Sequence, residues 1–285
     1  MTHPAAAFLH RKRGPRTKIQ PPAQPTAIIQ DYYSDIKPMV AFARQLVRKN
    51  LIPRLVDLGA RTDAKDPTIK QIVHAMSQAW HRQWSGPRIS KAASAAAAAT
   101  NRHAEAQVFQ QVKQGLGITL EHVADKRMMG MIAKFTTDNV DLIRTVPEEY
   151  FGQIEQTVLD GVSKGRRAAD LADDIEERGD VAANRVRLIA SDQIRKFNAD
   201  LTETRHRELG IDRYTWRRTP GAAKKPREEH EEDREGNVYA YDDPPGDEED
   251  PAEGGNPAVA INCTCWAEPF LDDILAALDG EGEEA

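Results

Sequence analysis

The feature that most limits what this chain can fold into is a helical apolar spacing that runs from about Ile28 to Leu209 and then stops. Ile36, Met39, Val40, Ala43, Leu46 and Val47 fall on one helical face, and Pro53 interrupts the pattern and starts a second short helix. In TIKQIVHAMSQAWHRQW, Ile69, Ile72, Val73, Met76, Trp80 and Trp84 form another stripe, closed by Gly86-Pro87. Such a stripe fits a core or a partner face. The alanine-rich run SKAASAAAAATNRHAEAQVFQQVKQ has strong helix propensity and ends at Gly115 and Gly117. Further on, Pro147 is placed to begin a helix that buries Phe151, Ile154, Val158 and Val162. A short helix is expected between Gly165 and Gly179. A longer one then buries Val186, Ile189, Ile194, Phe197 and Leu201, with Gly210 suited to its C-terminal cap.

After Gly210 the pattern changes. Tyr214 and Trp216 alternate as in a strand, and a second short strand is expected over Asn237 to Tyr241. LDDILAAL reads as a last short helix. The expected fold is therefore mainly α: an N-terminal helical region, then a helical domain with a small α+β, loop-rich C-terminal module containing a CxC turn. The corresponding domains are a disordered basic and Pro-rich arm over 1–27, a helical region over 28–117, a second domain over 118–270 and a short acidic tail over 271–285. The length of 285 residues and the 40% hydrophobic content support one large domain or two smaller ones. No stretch approaches ~18 uninterrupted apolar residues, so no transmembrane helix is expected. The basic N-terminus lacks a following apolar segment, so no secretory signal is expected. Two cysteines do not make a disulfide framework, which fits assembly in a reducing, intracellular place.

Charge is divided unevenly along the chain. Residues 228–285 hold twenty acidic residues and one basic residue, Arg234, for a net of -19. The first 227 residues therefore carry +13, against -6 for the whole chain. A basic body with an acidic tail suits a polyanion or a charged partner at one end, or simply two solvated surfaces. Arg11, Lys12, Arg13, Arg16 and Lys18 lie close together near the N-terminus and are candidate nucleic-acid-binding residues, through phosphate neutralisation.

The chain has no P-loop, HExxH or GxSxG motif. Its acidic run over Asp242 to Asp250 sits among prolines, and carboxylates need a rigid frame to act together. Cys263 and Cys265 are more specific. Thiolates favour zinc, which usually takes four ligands from Cys, His or acid. His230 could fold back onto this pair, giving His230, Cys263 and Cys265 as candidate metal ligands, with Asp233, Asp242 or water as a fourth. The alternative is a metal-free turn of two small buried side chains, with His230 holding a loop by hydrogen bonds. A disulfide between residues this close would be strained. His74, His81 and His103 read as surface histidines without ligand partners.

Several ordered motifs carry a resemblance. Ile189-Ala190 with Asp192-Gln193 is followed by Leu209-Gly210 and by Tyr214 with Trp216. Then come Arg227 with His230, Gly236, the turn Asp242 to Pro245, and Cys263-Thr264-Cys265 with Ala267 and Pro269. Over about residues 120–270 this order resembles the Mu F-like minor head proteins of tailed bacteriophages, the phage head morphogenesis family. Members often carry Arg where this chain has Ser191 and Thr264, and GDEEDPAEGGNPAVA resembles an acidic insertion before the CxC.

The resemblance implies a non-enzymatic minor capsid protein, inside the virion at the portal vertex and in the host cytoplasm during assembly. It would support procapsid assembly and DNA packaging or ejection. The implied partners are the portal protein, scaffold or major capsid protein, and packaged DNA without sequence preference; no membrane is implied. Zinc remains a candidate cofactor of the C-terminal module, where few apolar residues are available to form a core. Two alternatives stand beside this reading. One is a zinc-dependent nuclease or hydrolase with Glu229 or Glu231 as base. The other is a free DNA-binding protein.

Overall fold

A computed structural model describes residues 13–58, 67–84, 86–121, 126–220, 230, 233–246 and 254–280. In chain order the elements are α1 (Thr26–Asn50), α2 (Ile52–Leu58), α3 (Pro67–Gln83), α4 (Gly86–Leu116), α5 (Lys126–Ser163), α6 (Ala168–Glu208), β1 (Arg213–Arg217), β2 (Val238–Ala240), β3 (Trp266–Pro269) and α7 (Asp272–Gly280). The fold is mainly α, with a small sheet confined to the C-terminal part, as its apolar spacing implies. Two units are formed: one from Met1–Thr26, Ala97–Ile132 and Asp192–Ala285, the other from Ala27–Ala96 and Ala133–Ser191. Their boundaries fall inside α4, α5 and α6, so each unit draws on early and late parts of the sequence. Among the described residues no helix is long and apolar enough to cross a membrane.

In the unit built from 27–96 and 133–191, the stripes of α1 and α3 face the core. Ile36, Met39, Val40, Ala43 and Val47 are buried with Ile69, Val73, Met76, Trp80 and Trp84, while Leu46 and Ile72 flank them. The buried Trp80 indole donates to the Met39 carbonyl at 3.0 Å, which satisfies its one polar atom. Helix α5 does not begin at Pro147; Pro147 lies inside it. Ile143, Val146, Tyr150, Phe151, Ile154 and Val158 form one buried face across the proline, and that packing outweighs the lost backbone hydrogen bond. Nor is there a short helix ending at Gly179. Helix α6 continues through it, because Leu171, Ile175, Ala182, Val186 and Ile189 keep one buried face on both sides. At Gly179 the Arg44 side chain passes so close that a Cβ would lie 2.8 Å from its Nε. Arg44 thereby reaches Asp180 at 2.7 Å and Glu176 at 3.0 Å, and Arg48 reaches Glu176 at 2.5 Å.

In the other unit, composition predicts that residues 13–25 belong to a disordered arm. They form instead a strap along the C-terminal end of α4. A helix end leaves carbonyls without donors. The strap supplies them: Gly14 N–H donates to Gly117 O and Thr17 N–H to Gln114 O, both at 2.7 Å. Gln20 N–H donates to Gln114 Oε1 at 3.0 Å, and a ring nitrogen of His103 meets the Ala23 carbonyl at 2.9 Å. Ile19 packs on a core made of Val108, Val112, Leu116, Ile118, Ile211, Leu271 and Ile274. Arg11 and Lys12 lie outside the described residues. Helix α6 ends in a Schellman motif, with Ile211 N–H donating to His206 O at 2.8 Å and Gly210, at φ +77°, donating to Arg207 O at 3.0 Å. From there β1 pairs antiparallel with β2 and with β3, giving the order β2-β1-β3. Tyr214 and Trp216 share the buried face of β1 and pack with Tyr241. Beneath them His206 is fully enclosed. Its Nδ1 accepts from the Tyr241 hydroxyl at 2.6 Å, and its Nε2–H donates to Gln111 Oε1 at 3.3 Å, which fixes a neutral ring.

Three expectations follow. At Gly117, with φ +71°, an added Cβ would meet Gly14 O at 2.2 Å. Gly117→Ala should destabilise its unit by about 2 kcal/mol and loosen the strap. Gly152, helical with no atom within 4 Å of a Cβ, should gain about 0.5–1 kcal/mol as Ala. Urea denaturation of both variants checks the pair, and equal effects would refute the contact at Gly117. The second expectation concerns acid. Glu176 is lowered from 4.5 to about 2, first by its hydrogen bond from Arg48 and then by Arg44, against a desolvation that raises it. A depressed carboxyl stabilises above its unfolded pKa and loses that stability as pH falls through the folded value. The window is therefore pH 4.5 to 2. Glu176 is half-buried and Arg48 exposed, so solvent screening keeps the contribution small, and Glu176→Gln should flatten that part of the pH–stability curve. The third concerns His206, lowered from 6.5 to about 3 by burial. Its neutral form is favoured in the folded state, so stability present above pH 6.5 should fall between pH 6.5 and 3. His206→Gln should remove that dependence, read by thermal unfolding across pH.

Candidate metal centre

The sheet sets up the site. Antiparallel pairing places Trp216 opposite Ala267 and Arg217 opposite Trp266, so the residues just before β3 run alongside those just after β1. Cys263 and Cys265 lie immediately ahead of β3. The turn that delivers them is tight: Asn262 takes φ +61°, a conformation asparagine tolerates, and Cys263 N–H donates to Ala260 O at 3.0 Å. The residue between the cysteines is fixed by its carbonyl, since Thr264 O accepts from Thr219 Oγ1 at 2.6 Å. Thr219 Oγ1 in turn accepts from Gln24 Nε2 at 3.0 Å.

His230 closes the site from the other side of the sheet connection. Its ring packs edge-on against Trp216, with centroids 5.1 Å apart. Its Nδ1 lies 3.6 Å from Cys265 Sγ and 3.7 Å from Cys263 Sγ. The three ligand atoms all fall within 4.8 Å of one another. His230 and Cys263 are buried and Cys265 is half-buried; both cysteines are free thiols. Among the described residues no carboxylate joins the group, and Asp233 and Asp242 are exposed outside it. Glu229 and Glu231 lie outside the described residues.

These distances can be compared with what an ion would require. Tetrahedral zinc has bonds of about 2.3 Å to sulfur and about 2.0–2.1 Å to nitrogen, which puts neighbouring S and N atoms about 3.6 Å apart. The two imidazole–sulfur separations match. Electrostatics points the same way. Cys263 is lowered from 9 to about 4, chiefly by its hydrogen bond with Cys265, then by the one with His230, against burial. Cys265 is pushed up, first through the same contact with Cys263 and then by burial. The contacts of Cys263 with Cys265 and His230 thus favour loss of its proton, which binding of a soft cation requires.

Residues around the site are not apparent from sequence. Arg234 is buried, its guanidinium 5.3 Å from the Trp216 ring centroid, and it donates to Gly246 O at 3.3 Å. The available signal is that it is the one basic residue in the acid-rich segment. Arg195 and Cys263 both line a cavity of about 90 Å³, together with Pro22, Gln111, Asn256 and Trp266. That volume holds a few waters and falls well short of a drug-sized ligand. Of the nucleic-acid candidates, Arg13, Arg16 and Lys18 are exposed on the strap.

Comparison with known proteins bears on the same segment. Residues 152–268 match the family described as Phage Mu protein F like protein, a span that holds β1, β2, His230 and both cysteines. An uncharacterized protein of Haemophilus influenzae is 29% identical over 171 residues, covering 60% of this chain. The match covers 36% of that relative, so the chain spans about a third of the length of the curated protein it matches. No solved structure shows a significant match. Over residues 152–268, then, this chain is similar to the family described as Phage Mu protein F like protein.

Proposed function

We propose that this chain is a structural protein of phage head morphogenesis, working at the portal vertex inside the head and supporting procapsid assembly and DNA packaging or ejection. The observation that carries the reading is the family match over residues 152–268. Its partners would be the portal protein and, during assembly, scaffold or major capsid protein. The role needs no catalysis, and the proposal includes none. The apolar stripes of α1 and α3 are spent on the core of their unit. Partner contact would therefore use the polar helix faces or the strap. Exposed Arg13, Arg16 and Lys18 suit contact with packaged DNA through phosphates, without base readout.

Co-expression with the portal protein of the same phage, followed by size exclusion, tests this. A stable co-eluting complex is expected. A chain that elutes alone at every ratio overturns portal association. DNA affinity that falls steeply with salt, and falls further in Arg16→Ala with Lys18→Ala, is expected if the strap meets phosphates. Affinity unchanged by these substitutions would rule the strap out.

A further inference from the structure

We propose that His230 Nδ1, Cys263 Sγ and Cys265 Sγ hold a zinc(II) ion, and that this ion pins the strap of residues 13–25 to the sheet. The inference goes beyond the head-morphogenesis reading and does not rest on it.

The donor set chooses the metal class. Two sulfurs and an imidazole are soft to borderline ligands, suited to zinc, whereas magnesium and calcium need oxygen ligands. The described group offers no oxygen. Both cysteines would bind as thiolates, their remaining protons passing to solvent. The site is also where the fold needs support. The aromatic cluster of this module is only Tyr214, Trp216 and Tyr241, flanked by Tyr239, Cys265 and Ala267. His230 and the CxC turn come from segments more than thirty residues apart in the chain. Besides the packing of His230 on Trp216, they meet through a pair of long imidazole–sulfur contacts, at 3.7 Å to Cys263 and 3.6 Å to Cys265. An ion would join them far more firmly than those contacts do.

The pin follows from the hydrogen bonds. Thr264 sits between two ligands, so fixing both sulfurs fixes its carbonyl. That carbonyl accepts from Thr219, whose hydroxyl oxygen accepts from Gln24 at the end of the strap. Pro22, Ala23, Gln24 and Pro25 also line the cavity that Cys263, Thr264 and Cys265 line from the other wall. A change at the metal therefore has a short path to the strap, and the strap carries the exposed cations.

The test uses the full chain. Elemental analysis and native mass spectrometry should find one zinc per chain, and His230→Ala should lose it. Cobalt in place of zinc should give thiolate-to-metal charge transfer and intense tetrahedral d–d bands, which report the ligands even where a ligand variant fails to fold. On chelation, hydrogen exchange at the amides of Gly14, Thr17 and Gln20 should accelerate about tenfold, the change expected when one hydrogen-bonded link is lost. Exchange in α3 should not move. Thr219→Val should keep zinc while its strap exchanges fast with or without chelator. Absence of metal, copper or iron in its place, or a cobalt spectrum without sulfur bands overturns the site. Zinc present with strap exchange indifferent to chelation overturns the pin. Portal co-elution is a separate readout, so failure of either reading is distinguishable from failure of the other.

Discussion

The unit that holds the candidate metal centre depends on burial of apolar side chains against α4. Its C-terminal segment is acid-rich and carries few large apolar residues, so it cannot make a core alone. Val108, Val112 and Leu116 of α4 supply the surface that Ile118, Ile211, Leu271 and Ile274 cover. Each such side chain contributes about 1.5–3 kcal/mol when buried. The strap extends the same solution. Ile19 adds to this core while the neighbouring backbone N–H groups satisfy the end of α4, so one segment serves both apolar burial and helix capping.

Two buried polar residues of this unit are accommodated in different ways, one as a neutral ring and one beside a ring. His206 is enclosed with a donor on one side and an acceptor on the other, and a second ring proton would face the Tyr241 hydroxyl head-on. Arg234 keeps its charge by lying over Trp216 and donating to a carbonyl. The two cysteines are held in neither way: their sulfurs and the His230 nitrogen, within 4.8 Å of one another, form an arrangement that a cation would complete.

How far the sequence foretells this depends on which force governs each element. The stripes of α1 and α3 are legible because amphipathic spacing and tertiary burial agree there. The same holds for β1, where Tyr214 and Trp216 alternate onto one face, and for Gly210, whose φ +77° a glycine accepts freely. Pro147 and Gly179 mislead because local propensity and packing disagree, and packing wins. The strap is illegible for a different reason. Its composition is that of a disordered tail, and what orders it is the set of unpaired carbonyls at a helix end about ninety residues further along. Strand β3 has no sequence signal either, since WAEP has one large apolar residue and a proline and becomes a strand only beside β1. That His230, Cys263 and Cys265 come together is legible because donor chemistry does not depend on propensity: one histidine and two cysteines in a segment poor in other donors of that kind leave few combinations. Thr219 and Gln24 carry no such signature.

The charge division acquires a location in this structure. Asp233, Glu235, Asp242 and Asp243, around the sheet module, are exposed, while the one basic residue of that segment is turned inward onto Trp216. That segment thus presents acid beside the sheet and turns its one cation inward, while β1 brings Arg213 to Asp273 and Arg217 to Glu235 and Glu268. A polyanion would be repelled there, whatever occupies the CxC turn, and a nuclease built around these ligands would have to draw its substrate through that field. The exposed cations Arg13, Arg16 and Lys18 of the same unit lie on the strap instead. If the strap is held by a link that ends between two metal ligands, then the ion sits on the acidic side and acts, through Thr264, Thr219 and Gln24, on how firmly the basic side is presented. Such a link is a structural role that His230, Cys263 and Cys265 can fill with water or a further residue in the fourth position that three protein donors leave.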